Sequence, residues 1–236
     1  YAKSSDKTPL PQQLQLSTSP WYLDTGIRYW LGDSKFAWNL YNIAGDELVS
    51  RITYQGVTTN SAEGFWRLQH QNGIFFKGYV GAGSNLNGES IDEDFLPSTT
   101  PYSRTVSEQK QGRLNYFSFD LGYTLYEQAH YKLSPFIGYH YWFTRYNSFG
   151  CRQTASNPSC LIFSYPTTTD TLNDQAAWNS LRLGLNGEVH LLDNLNFVVD
   201  AAYTYAYLLA NDYHNLRPDI RGEFFEGVGH GLQLDM

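Results

Sequence analysis

From residue 21 onward the chain alternates apolar and polar positions with a period of two. In LNFVVDAAYTYAYLLANDYH, one face carries Leu195, Phe197, Val199, Ala201, Tyr203, Tyr205, Tyr207 and Leu209. The other carries Asn196, Val198, Asp200, Ala202, Thr204, Ala206, Leu208, Ala210, Asp212 and His214, mostly small or polar. An extended strand sorts residues this way because successive side chains leave opposite faces. The same sorting recurs in NSLRLGLNGEV, where Leu181, Leu183, Leu185 and Val189 oppose Arg182, Gly184, Asn186 and Glu188. It recurs again in WYLDTGIRYWL, NYFSFDLGYTL and LSPFIGYHYWF. The pattern predicts eight strands, near 21–31, 48–69, 73–84, 113–126, 132–148, 178–190, 195–211 and 224–236.

The minor face decides the surroundings. It is rich in Gly, Ser and Asn with isolated charges of both signs, and aromatics gather at the ends of the apolar faces. A soluble sandwich turns its apolar face inward and its charged face to water. Here the arrangement fits a barrel in lipid, with a crowded polar lumen and aromatic girdles. Most of these segments also exceed the roughly 5–6 residues usual for soluble strands. The connections alternate as well. QHQNG, EQAHY and LLDNL are short, whereas about 32–47, 85–112, 149–177 and 212–223 are long. Short turns at one end and long loops at the other are the outer-membrane pattern. The fold class expected is therefore all-β, an antiparallel transmembrane barrel in the bacterial (Gram-negative) outer membrane.

Composition sharpens this picture. Charged residues make up 17% of 236, aromatics 17%, tyrosines number 19 and the net charge is −7. No basic stripe offers a nucleic-acid surface. No apolar run reaches the roughly 18 residues of a helical span. Residues 1–19 are polar with two prolines and read as a tail, leaving 20–236 as the barrel. The only methionine is Met236, so the chain reads as a mature or partial one. It stops without the aromatic residue expected to close a bacterial barrel, and a ten-stranded intact protein with one more hairpin is expected. Cys151 and Cys160 share one Pro/Ser/Asn-rich segment with no further metal ligands beside them, which favours a disulfide in an oxidising compartment over zinc. No metal site and no cofactor are expected. Inward positions include Asp24, Arg28, Arg51, Lys77, Asp120, His140, Arg182, Glu188 and Asp200. Mixed charges in a narrow lumen must pair or be wetted, so these are read as a structural network rather than an open pore.

The candidate chemistry lies at the long-loop end. Asp212 and His214 are two residues apart on one strand and share its inward face. Asp92 and Asp94, in ESIDEDF, fall on another long loop at the same end. A carboxylate holds an imidazole in one tautomer and makes it more basic. An opposed carboxylate pair can share a proton, orient a water or protonate a leaving group.

These segments resemble the omptins, ten-stranded outer-membrane proteases that bind lipopolysaccharide. SRITYQG followed by GYVGAGSNLNGESIDEDF matches the family's Gly/Asn-rich loop and its Asp-x-Asp before an aromatic, here Asp92, Asp94 and Phe95. Asp212, Tyr213 and His214 match its Asp-x-His, and FIGYHY (136–141) is similar to its fifth strand. The resemblance implies that Asp212 and His214 activate the attacking water and that Asp92 and Asp94 complete the site. It also implies lipopolysaccharide as a lipid requirement and a peptide substrate or protein partner at the loops. Two acidic residues that give omptins their basic specificity are replaced by Phe36 and Ala210, and PYSRTVSEQKQGR lacks a histidine that some members carry. A peptidase of non-basic specificity is one expectation. A non-catalytic structural or interaction barrel is the second, and a small-solute channel the third.

Overall fold

The structure is a computed structural model that describes residues 19–95, 99–158, 160, 164–192, 195–217 and 222–236. The expected tail thus lies almost wholly outside the described residues. Ten strands form: β1 (Trp21–Tyr41), β2 (Leu48–His70), β3 (Ile74–Asp94), β4 (Ser103–Gln109), β5 (Arg113–Tyr123), β6 (Tyr126–Glu127), β7 (Tyr131–Gln153), β8 (Tyr165–Leu192), β9 (Leu195–His214) and β10 (Glu223–Asp235). All pairings are antiparallel.

The count of ten differs from the eight expected because one sheet position is shared. β4 and β5 both lie between β3 and β7, one above the other, and β6 is a two-residue continuation against β7. The order is therefore β1-β2-β3-β4/β5-β7-β8-β9-β10. β1 and β10 are the edges, and no ladder joins them among the described residues. The sheet nonetheless curls far enough that non-neighbouring strands meet inside it. Lys77 of β3 pairs with Asp200 of β9, and the rings of Trp38 (β1) and Phe225 (β10) lie 4.7 Å apart.

The strands also run further than the alternation signalled. Much of the segments expected as long loops is paired strand: β1 reaches Tyr41, β3 reaches Asp94, β7 reaches Gln153, and β8 begins at Tyr165. Beyond the apolar band the outer face turns polar (Lys35, Asn39, Arg51, Glu93) while apolar side chains such as Phe36, Trp38 and Ile52 turn inward, so the sorting that marks the lower strands is lost while the backbone ladder continues.

Outside, the sheet carries a band of exposed apolar side chains. Leu181, Leu183 and Leu185 are 60, 64 and 50% exposed, whereas Arg182 between them is 1% exposed. Inside, the charged positions pair. Arg28 contacts Glu63 at 2.5 Å, Arg182 bridges Asp120 (3.3 Å) and Asp235 (3.0 Å), and Arg67 approaches Glu188 at 3.9 Å. Asp24 stands opposite Arg67 across the β1–β2 ladder. His140 packs among Tyr79 and Trp142. Gly138 makes room for this network, since a Cβ there would meet Asp120 Oδ1 at 1.9 Å.

Arg51 departs from the expected inward set. It stands opposite Glu93 and binds it at 2.7 Å, while Ile52 and Tyr54 turn inward. The cause is a bulge at Gly56, whose φ is +57° and where the β2–β3 register shifts between Gln55 and Thr58. Below it odd residues such as Ser61 and Glu63 face in; above it even ones do. One inserted residue inverts every later side chain. A Cβ at Gly56 would meet nothing, so only the backbone resists substitution. Gly56→Val is expected to lower stability by about 1–2 kcal/mol, the left-handed penalty for a residue with a Cβ. Gly56→Asn should cost much less, and urea unfolding of the two variants checks the ranking.

Candidate active site

The acidic run divides between the two faces of β3. Glu93 points outward to Arg51 and, at 3.4 Å, to Arg104. Asp92 and Asp94 point inward, opposite Ile52 and Ser50 of β2 and Thr105 and Ser103 of β4. They are therefore strand residues with a fixed direction rather than a solvated loop. Three consecutive carboxylates are tolerated because alternation sends the middle one to two guanidinium groups.

On β9, Asp212 and His214 occupy the same inward face. His214 Nε2 lies 3.1 Å from Asp212 Oδ2. Asp212 is buried, and His214 keeps a quarter of its side chain accessible. β3 and β9 are not neighbours in the sheet, so their approach is across the lumen. It is close enough for charge to be felt. The hydrogen bond that His214 donates to Asp212 is the main cause that raises the imidazole pKa of His214, and Asp92 adds to it. In return, Asp92 is pushed up to about 7, first by burial and then by Asp94, with His214 and Arg217 opposing. Burial also raises Asp94. Arg217, just past β9, hydrogen-bonds through its backbone N–H to the His214 carbonyl and places a cation beside the group.

Two further residues belong to this constellation. Asp174 of β8 stands directly opposite Asp212 in the ladder and is equally buried, and the Tyr54 hydroxyl of β2 donates to Asp174 Oδ2. Asp174 gave no signal in the sequence, because Thr171, Leu172, Asn173 and Asp174 are all buried and no apolar–polar alternation marks this part of β8. Tyr54 gave none, because the bulge at Gly56 hides its facing. Beneath the site, Phe36, Tyr54 and Tyr146 stack, with Tyr54 and Tyr146 at 4.5 Å. Together with Ile52, Val57 and Leu172 they form an apolar floor. Beside Asp212 opens a cavity of about 180 Å³ walled by Phe36, Trp38, Leu208, Ala210 and Phe225.

The titration of Asp92 sets a sign for stability. Its folded pKa of about 7 exceeds the ordinary 3.8, so the folded protein binds the proton more tightly than the unfolded chain. Its contribution is present at acid pH and is lost as pH rises from about 4 to about 7. Asp92→Asn is therefore expected to stabilise the protein at pH 8 by on the order of 2–4 kcal/mol and to leave it unchanged below pH ~4. Thermal midpoints at the two pH values check this.

Cys151 and Cys160 are joined by a disulfide, with Cα atoms 5.7 Å apart. It joins the end of β7 to the segment that precedes β8. Among the described residues no three His, Cys, Asp or Glu side chains gather as a metal site would require.

Among solved structures, the fold is similar to that of the outer membrane protease OmpT from Escherichia coli. The TM-score is 0.68 at 14% identity, over 94% of this chain and 78% of that one. At that identity the likeness establishes the β-barrel fold alone. No protein-family model matches the chain, and no curated protein matches it.

Proposed function

We propose that the chain is an integral outer-membrane barrel whose upper rim carries an Asp/His peptidase site. The observation that carries this reading is the hydrogen-bonded Asp212–His214 pair facing Asp92 across the lumen. The exposed leucine-rich band and the fold shared with an outer membrane protease support the location. In that membrane, lipopolysaccharide is the lipid that surrounds the rim.

The chemistry follows from the donors. With Nε2–H donating to Asp212, Nδ1 of His214 is left as a base. It takes a proton from a water held between it and Asp92/Asp94. The oxygen adds to the scissile carbonyl, and the tetrahedral intermediate collapses with cleavage of the C–N bond. The leaving amine takes its proton from Asp92, whose pKa near 7 makes it an effective acid, or from the imidazolium. The departing peptide acid and amine account for all atoms of the water.

The cavity beside Asp212 sets the specificity. Phe36, Trp38, Leu208, Ala210 and Phe225 make most of its wall apolar, and its two carboxyl groups, Asp174 and Asp212, are engaged by Tyr54 and His214 rather than left for a Lys or Arg side chain, so an apolar or aromatic side chain is the occupant. A mass-spectrometric digest of a random peptide library by the purified protein in lipopolysaccharide vesicles tests the reading. Cuts beside aromatic or large aliphatic residues are expected. Absence of any cleavage would leave a non-catalytic barrel that presents its rim to a partner, and preference for Arg or Lys would remove the pocket assignment.

A further inference from the structure

Asp174 is a buried carboxyl that the hydrolytic scheme does not use. It lies directly across the β8–β9 ladder from Asp212, and the two are 4 and 3% exposed. Their carboxyl groups are in hydrogen-bonding contact. Each also keeps one buried oxygen with no hydrogen-bond partner among the described residues. Two carboxylates so placed repel in a region with little water, and neither can donate to the other. A single proton between them removes both problems. Tyr54 fixes which side it takes. Its hydroxyl donates to Asp174 Oδ2, while Asp212 Oδ2 faces His214.

We propose that Asp174 carries the proton of this pair and donates it to Asp212, holding that carboxylate against His214. Asp174 is then a positioning residue, one step removed from the reacting atoms. Its effect on turnover rests on the hydrolytic reading above, whereas the location of the proton does not.

Groups on every neighbouring element bear on the pair: the Tyr54 and Trp38 contacts favour the charged form of Asp174, and burial and Asp212 outweigh them. From β2, Tyr54 presents a hydroxyl whose own pKa burial and Asp174 both raise, so it stays a donor. From β1, Trp38 stands beside Asp174. From β7, Tyr146 lies within electrostatic range. From β9 come Asp212 and His214, and from β3, across the lumen, Asp92. Burial, then the charge of Asp212, raises the pKa of Asp174 well above the carboxylate range.

Asp174→Asn separates the alternatives, because an amide is the neutral isostere of a protonated carboxyl. It can accept from Tyr54 and donate to Asp212. The readouts are the NMR titration of the His214 imidazole and the infrared carbonyl stretch of protonated carboxyls at pH 8, both in the intact protein in vesicles. The titration midpoint of His214 is expected to be the same in Asp174→Asn as in the wild type, with one protonated-carboxyl band lost. A clear fall in the midpoint would mean that the substitution had removed a negative charge, and it would overturn the proposal. So would an infrared spectrum unchanged by the substitution. If peptide cleavage is established, Asp174→Asn should keep its turnover. Asp174→Ala should lose about 10²-fold in kcat with little change in KM, as misplacing an activated group by about 1 Å does. The two spectroscopic results stand even if no peptide is ever cleaved, so a failed peptidase reading and a failed proton assignment are told apart.

Discussion

His214→Ala is expected to reduce peptide cleavage by about 10²–10⁴-fold, the range that a positioned general base contributes. Asp212→Asn is expected to fall into the same range. An amide carries no charge to stabilise the imidazolium, and its NH2 can donate to the ring and select the other tautomer, so the ring loses both its tautomer and its added basicity. The two substitutions should not add. Once the imidazole is gone, Asp212 has nothing to orient, and the double variant should be no slower than His214→Ala alone. The loss should appear mainly in kcat, since His214 does not line the apolar cavity and Asp212, which does, is engaged with His214 rather than with a substrate side chain. Steady-state kinetics on one peptide from the library digest checks all three variants. A double variant that is slower by the product of the single losses would mean that the pair does not act as a unit.

The largest structural effect is expected at Arg182. Its side chain is 0% exposed, packs over the Phe136 ring, and reaches both Asp120 and Asp235. Asp120 is itself 2% exposed. Arg182→Ala leaves that carboxylate buried without its cation, and breaking a buried pair from one side costs about 3–5 kcal/mol. Removing the second charge as well, in Arg182→Met with Asp120→Asn, should recover most of the loss, because a well-packed neutral pair is often as stable as the ionic one. Urea unfolding in lipid vesicles gives the comparison. Equal destabilisation in the single and double variants would mean that the cost comes from packing and not from the stranded charge.

These two regions differ in how well the sequence declares them. The facing of Arg182 follows from its leucine neighbours, because a strict period of two runs through that strand without interruption. The same rule misplaces Arg51, since one left-handed glycine shifts the parity above it and composition gives no sign of the shift. The extension of β3 to Asp94 was hidden for another reason. Its two faces mix buried Ile91 and Phe95 with Glu93 on one side and Ser90 with Asp92 and Asp94 on the other, so the alternation that marks a strand disappears while its hydrogen bonds persist. Asp92, Asp94, Asp212 and His214 were visible as short motifs at one end of the molecule. Asp174 and Tyr54 were not, because their meeting is made by the curl of the sheet between strands far apart in the chain. Local periodicity reports which way a side chain points and is silent about what stands opposite it.

The claim on which everything above depends is that Asp92 and His214 face each other across the lumen. The NMR titration of the His214 imidazole in Asp92→Asn, set against the wild type, measures that directly. The Asp92 carboxylate favours the imidazolium. Its removal is therefore expected to lower the His214 midpoint, while Glu93→Gln, on the outer face, leaves it in place. An unchanged midpoint in Asp92→Asn would contradict the account, because the two motifs would then not share a site.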